Sequence, residues 1–289
     1  MLNNITQTLD VLPALAGLAK EAKPRSPETA DCFAARVQQT AERYPDNMAV
    51  TFEGRSVTWK EFNQAANRYA RAFLARGLKH GDCASLLMEN RIEYLVSVVA
   101  LNKIGVTAAL LNTNLTGRSL VHCIEITGSR ACLFGEERMS ELSDIRAVVP
   151  GVGTYLFIAD TGEQDCPSWA TDLEEEAADE DASNLAETDK VTLGDRALYV
   201  FTSGTTGLPK AAVMSNKRFL ITSALAWKGG LRCDENDCIY LCLPLYHGTA
   251  LFIGAGSAFN SGAGIFLRRK FSASAYLPEV REHGATCFI

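Results

Sequence analysis

The chain has 289 residues, 47% of them hydrophobic and 21% charged, enough for one large core or two medium ones and unlike a disordered or fibrous protein. Its formal net charge of -6 argues against a nucleic-acid partner, because such proteins carry a basic stripe that gains from counterion release. Nine cysteines, odd in number and scattered from Cys32 to Cys287, do not read as a disulfide framework. The short apolar stretch 9–19, broken by Asp10 and without a basic leader, does not read as an export signal, so the expected compartment is the reducing cytoplasm.

Residues 1–28 read as an N-terminal extension. Residues 48–58 read as a hairpin turning at Glu53-Gly54-Arg55. Thr58 and Glu61 then have the spacing of a capping box, so a helix is expected to start there. Phe62, Ala65, Ala66, Tyr69, Phe73 and Leu74 recur at helical spacing, and Gly77 stands where a left-handed cap residue is wanted. Next come a strand at 83–88, a helix at 92–104 closed by Gly105, a strand at 107–112, a helix at 119–127 closed by Gly128, and a strand at 130–134. Continuous apolar strands alternating with helices predict a parallel sheet with helices on its faces.

From 160 to 190 the pattern fails, and Asp172, Glu174, Glu175, Glu176, Asp179, Glu180 and Asp181 crowd together; this reads as an exposed acidic connection needing no basic partner. A second alternation follows: strand 197–201, a Thr/Ser/Gly loop, strand 211–214, helix 217–227, strand 238–243, helix 249–259, strand 264–267, helix 272–283 and strand 285–289. Stopping inside an apolar strand is the pattern expected of a truncated domain. Residues 239–267 contain no Asp, Glu, Lys or Arg and so imitate a membrane span, but Pro244, Gly248 and the turn at Asn260-Ser261-Gly262 punctuate them as ordinary elements.

The expected fold is therefore α/β, with mostly parallel sheets flanked by helices. Residues 29–289 make up a large domain whose two βα sets, 48–159 and 195–289, are joined by the acidic connection.

The strongest chemical signal is Thr202-Ser203-Gly204-Thr205-Thr206-Gly207-Leu208-Pro209-Lys210. Two glycines and four hydroxyl residues in six positions can turn backbone N–H groups inward as a nest for phosphate oxygens, with the hydroxyls as further donors. Lys210 adds a point charge able to follow a polyphosphate, and Pro209 restricts the direction in which the chain leaves. An ordinary surface turn has similar composition. Against that reading, the loop follows an apolar strand directly and ends on a lysine. The spacing is not G-x-x-x-x-G-K-[ST], and Phe201 stands where a nucleophile elbow needs glycine, so P-loop hydrolases and serine hydrolases are disfavoured.

The run from Tyr199 to Lys210 resembles the signature loop of the adenylate-forming (AMP-binding) superfamily. Leu243-Pro244-Leu245-Tyr246-His247 is similar to that superfamily's next motif. Ala108-Ala109-Leu110-Leu111-Asn112-Thr113-Asn114-Leu115 resembles its branch of fatty acid transport proteins and very-long-chain acyl-CoA synthetases. The resemblance implies activation of a long- or very-long-chain fatty acid by ATP and Mg2+ to an acyl-adenylate, then transfer to coenzyme A. It implies that Thr202, Ser203, Gly204, Thr205, Thr206, Gly207 and Lys210 hold the ATP phosphates, with Lys210 the catalytic charge. Tyr246 and His247 would face the substrate, His247 between the adenylate and acyl pockets. It further implies later adenine, ribose and Mg2+ motifs and a small C-terminal domain that residues 1–289 do not contain, so the isolated chain is expected to be inactive. Fatty acid, ATP and CoA are the expected partners, and peripheral membrane association is compatible with them. The alternatives are adenylation of another carboxylic acid and a non-catalytic nucleotide-binding fragment.

Cys233, Cys238, Cys242 and His247 do not have the spacing of a known zinc site. Cys238, Tyr240 and Cys242 alternate along a predicted strand and read as one core face. No metal ligands are assigned. His80, His122 and His283 need no catalytic role.

Overall fold

The computed structural model of the protein describes residues 23–202 and 207–289. Helix α1 (Phe33–Arg43) precedes the predicted hairpin of β1 (Met48–Phe52) and β2 (Arg55–Thr58). Thr58 then caps helix α2 (Trp59–Ala75): its hydroxyl accepts from the Glu61 N–H while the Glu61 carboxylate accepts from the Thr58 N–H at 2.8 Å. The βαβαβ unit follows as β3 (Cys83–Leu87), α3 (Ile92–Lys103), β4 (Thr107–Leu110), α4 (Gly117–Ile126) and β5 (Ala131–Gly135), with Ala84 in parallel register beside both Ala108 and Ala131. Helix α5 (Met139–Ile145) and β6 (Thr154–Ile158) extend it.

The remaining elements are β7 (Thr171–Asp172), α6 (Leu173–Ala177), β8 (Arg196–Thr202), β9 (Lys210–Ser215), α7 (Asn216–Leu225), β10 (Cys238–Leu241), α8 (Gly256–Ser261), β11 (Gly264–Leu267), α9 (Ala273–Glu282) and β12 (Cys287–Phe288). They complete a seven-stranded sheet ordered β7-β6-β5-β3-β4-β8-β9 and a five-stranded sheet ordered β12-β10-β11-β1-β2. All pairs are parallel except β8 with β9 and β1 with β2, so the mostly parallel α/β class is as expected. The two sequence blocks do not map onto the two sheets. The early hairpin joins the late strands through Val50 beside Ile265, and β8 and β9 join the early sheet through Leu198 beside Ala108. Strand order is set by pairing across long separations, which local periodicity does not encode.

Helices α1, α2, α3, α7 and α8 fill the space between the sheets around Phe33, Trp59, Phe62, Phe219 and Phe259. Every residue of α3 is buried, as suits a helix apolar on nearly all sides. Helices α4 and α5 cover the outer face of the larger sheet through Leu120, Ile124, Leu142 and Ile145. On the smaller sheet, Tyr240 and Phe266 point the other way from Ile239, Leu241, Ile265 and Leu267, to meet Tyr276 and Val280 of α9.

The acidic segment is more than an exposed connection. Leu173, Ala177 and Leu185 are buried, β7 adds an edge strand beside β6, and basic partners come after all from Arg71 in α2, which pairs with Asp181, and from Arg76 at its C-cap, which pairs with Glu176. A few apolar positions hidden among charges anchor it, and the half-exposed ion pairs add little. Two expected helices also continue as, or begin in, π-turns, at Ala226–Leu231 and Thr249–Ala255. Helix α8 packs so close to α7 that a Cβ on Gly256 would come within 2.7 Å of Ser223 Cβ. The uncharged stretch 239–267 thus divides into strand, π-turn, helix and strand, and no described helix is long and apolar enough to cross a membrane.

Candidate functional site

A cleft of about 540 Å³ opens at the carboxyl ends of β4 and β8, where parallel α/β sheets commonly bind ligands. One wall is the β8–β9 hairpin, contributing Phe201, Thr202, Gly207 and Pro209. Thr202 and Lys210 face each other in antiparallel register. Directly paired residues share a face of the sheet, so the exposed Lys210 side chain emerges on the same side as that of Thr202, at the rim of the cleft. Lys210 makes no ion pair among the described residues. Gly207 has φ of 87°, a left-handed conformation that disfavours side chains, although the space around it is open. The Pro209 carbonyl accepts a 3.0 Å hydrogen bond from Nε2 of His122 on α4.

The opposite wall is Tyr246 and His247, after β10 in the other sheet. Asn90, buried in the loop after β3, holds this segment. Its Nδ2 donates to the carbonyls of Leu243 and Arg268, both at 2.9 Å, and its Oδ1 accepts from the Leu245 N–H at 2.8 Å. Leu245 is fully buried, Tyr246 is 9% exposed, and the exposed His247 ring lies 4.6 Å from that of Tyr246. Behind them Tyr94 is wholly buried, and burial, then the neighbouring Tyr246, push its phenol well above the ordinary value. Leu110, Asn112 and Leu115 close the third side.

A network of charges beside this joint ties the two sheets together. Arg269, after β11, reaches Asp160 at 2.7 Å and Glu53 in the hairpin turn at 2.8 Å; Arg91 pairs with Glu137 and Asp160. Burial works to raise the pKa of Glu136, but the backbone N–H groups of Asp160, Gly162 and Gln164 outweigh it and bring the carboxyl down to about 2.

The structure therefore brings Thr202, Gly207, Tyr246 and His247 to one cleft and sets Lys210 at its edge. Ser203, Gly204, Thr205 and Thr206 lie outside the described residues. Sequence reasoning used 108–115 only as a mark of kinship and missed Asn112, Leu110, Leu115 and Phe201 as lining. The signal was available, since these residues lie at or shortly after the carboxyl ends of the parallel strands β4 and β8. It also missed Asn90 and His122, whose partners are 87 or more positions away. Cys238 and Cys242 do pack on the same side as Tyr240. His80 bonds Asp195 at 2.9 Å and His283 stacks on Phe266 with centroids 3.9 Å apart. Among the described residues no group of three or more His, Cys, Asp or Glu side chains is placed to hold a metal ion.

Chemically the cleft is two-sided. A hydroxyl, a left-handed glycine and a nearby lysine suit an anion; Leu110, Leu115, Phe201 and Tyr246 suit an apolar group. The chain is similar to a medium/long-chain-fatty-acid–CoA ligase of Mycobacterium tuberculosis, FadD6, at 33% identity over 252 residues, covering 87% of this chain and 40% of that protein. It is also 33% identical to human long-chain fatty acid transport protein 6 over 252 residues, covering 86% of this chain and 40% of that one. The chain thus spans about two fifths of the length of these relatives. In fold it is similar to the anthranilate CoA ligase AuaEII in complex with anthranoyl-AMP, with a TM-score of 0.81 at 19% identity over 90% of this chain and 49% of that one. A putative long-chain-fatty-acid CoA ligase from Rhodopseudomonas palustris gives 0.80 at 20% identity, over 90% of this chain and 63% of that one. The family model described as AMP-binding enzyme matches residues 37–289, and the chain belongs to that family.

Proposed function

We propose that this chain forms the phosphate-holding and acyl-facing part of an ATP-dependent long- or very-long-chain fatty-acid–CoA ligase. The observation that carries the reading is the two-sided cleft, in which the Thr202–Lys210 hairpin faces Tyr246 and His247 across an apolar lining. The names of the relatives support a fatty acid as the acid activated.

A carboxylate becomes an acylating agent only when one of its oxygens is made a good leaving group. In the proposed reaction the fatty acid oxygen attacks the α-phosphorus of ATP, the bond to the bridging oxygen breaks, and pyrophosphate departs with that electron pair; the CoA thiolate then displaces AMP. Catalysis of such transfers rests on positioning and on stabilising charge. Lys210 follows the charge on the departing pyrophosphate, Thr202 donates from its hydroxyl, and the turn at Gly207 lets the backbone approach the phosphates. Mg2+ bound with the nucleotide would neutralise part of the same charge. Tyr246 and His247 shape the opposite side, where acyl group and adenylate would meet; His247 acts there as a polar contact.

ATP–pyrophosphate exchange driven by fatty acids of graded length, measured on a protein of the relatives' full length that carries this chain, tests the reading. Exchange that varies with chain length supports it. Indifference to every fatty acid with a response to aryl or amino acids would shift the assignment to another carboxylic acid, and Mg-ATP binding without exchange under any acid would leave a nucleotide-binding module. Such acids partition into bilayers, so a cytoplasmic protein working at a membrane surface belongs to the same reading.

A further inference from the structure

We infer that His122 is a positioning residue for the phosphate-holding hairpin, setting the direction in which Lys210 leaves the loop; this rests on the reading of that hairpin given above. A carbonyl can only accept, so the 3.0 Å contact fixes His122 Nε2 as the donor to Pro209 O. Pro209 lines the cleft and lacks an N–H, which leaves its carbonyl as the one backbone group through which a neighbour can hold the residue. The peptide plane so held is the Pro209–Lys210 bond, and Lys210 is the first residue of β9, opposite Thr202.

Two independent contacts therefore meet at this peptide: the strand register on one side and the imidazole on the other. At its start the strand has little else to hold it, since among the described residues β9 is the edge strand of its sheet and Lys210 is exposed, whereas its other contacts, such as Met214 with the core, come later along it. Helix α4 is a firm base for the second contact. It is anchored by Leu120, Cys123 and Ile124, all fully or almost fully buried, and the His122 ring is carried between them and β9. Pre-setting the lysine spares the ordering cost that a long flexible side chain on a loose strand would otherwise incur on binding.

The test compares His122→Ala, His122→Phe and His122→Gln in the full 289-residue chain. Gln is the conservative variant, because its side-chain amide can still donate. In the ligand-free protein, hydrogen exchange at the amides of residues 210–213 should quicken about three- to tenfold in the Ala and Phe variants, the loss matching one net hydrogen bond, and return toward wild type in Gln. Exchange in β3 should stay unchanged in all three. Pyrophosphate affinity by calorimetry should follow the same order, with Ala and Phe weaker by a similar factor and Gln restored. Unchanged exchange at 210–213 in His122→Ala overturns the inference, as does a Gln variant no better than Phe or an acceleration of exchange spread equally into β3. If wild type and Lys210→Ala bind pyrophosphate equally poorly, the phosphate reading fails instead, and the exchange data still decide whether His122 sets the strand.

Discussion

The two walls of the cleft are built on opposite plans. The hairpin wall is announced in the sequence by nine consecutive residues, yet among the described residues it belongs to the edge strand of its sheet, held by its register to β8, the imidazole bond at Pro209 and the packing of Ala211 and Met214. The Tyr246–His247 wall is much fainter in sequence, but it rests on a fully buried Leu245 and on three hydrogen bonds to the single buried side chain of Asn90. The contrast teaches that a wall's legibility in the sequence and the depth of its support in the fold are separate properties.

The comparison breaks most severely if Asn90 is removed. Asn90→Ala strips partners from the Leu243 and Arg268 carbonyls and the Leu245 N–H at once, and should cost about 3 kcal/mol of stability, read as a lower midpoint in urea. A midpoint unchanged from wild type would mean that the rigid wall does not depend on this joint. Lys210→Ala should do the reverse, weakening pyrophosphate or Mg-ATP binding roughly tenfold or more while leaving the urea midpoint in place, as expected of an exposed charge acting on a bound anion. If the midpoint fell and binding did not, the lysine would belong to the scaffold.

A pH-dependent effect lies at the carboxyl end of the larger sheet, at Glu136. Its carboxyl titrates at about 2 in the folded protein against an ordinary 4.5, so its contribution to stability is complete above about pH 4.5 and is lost as the pH falls toward 2. The difference in melting temperature between wild type and Glu136→Gln should therefore be largest at neutral pH and shrink through that window. A difference constant down to pH 2 would detach Glu136 from the hold on residues 160–164.

Local signals were legible because they are local. The Thr58–Glu61 capping box needs four neighbouring residues, and the glycines at 77 and 105 take the positive φ that closing α2 and α3 requires. The βαβαβ alternation follows from runs of apolar residues read a few positions at a time. Sheet membership was not legible, because β1 finds β11 across more than two hundred positions. The antiparallel sense of β8 and β9 could have been read: the loop between Thr202 and Lys210 is too short for a parallel crossover. At the site, residue types that bind phosphate carry their own pattern, whereas Asn90 and His122 are ordinary until their distant partners are known.

The pairing of β1 with β11 also governs timing during synthesis. The seven described strands of the larger sheet are all made by residue 215, but β1 must wait for residues 264–267 before it gains its parallel neighbour. At translation rates of about 5–20 residues per second, an apolar strand with only its hairpin mate stays without that partner for on the order of ten to forty seconds. In that interval the newborn chain is open to pairing with the wrong edge, so slow synthesis or a pause between residues 60 and 264 would be felt as aggregation well before any effect on the finished cleft.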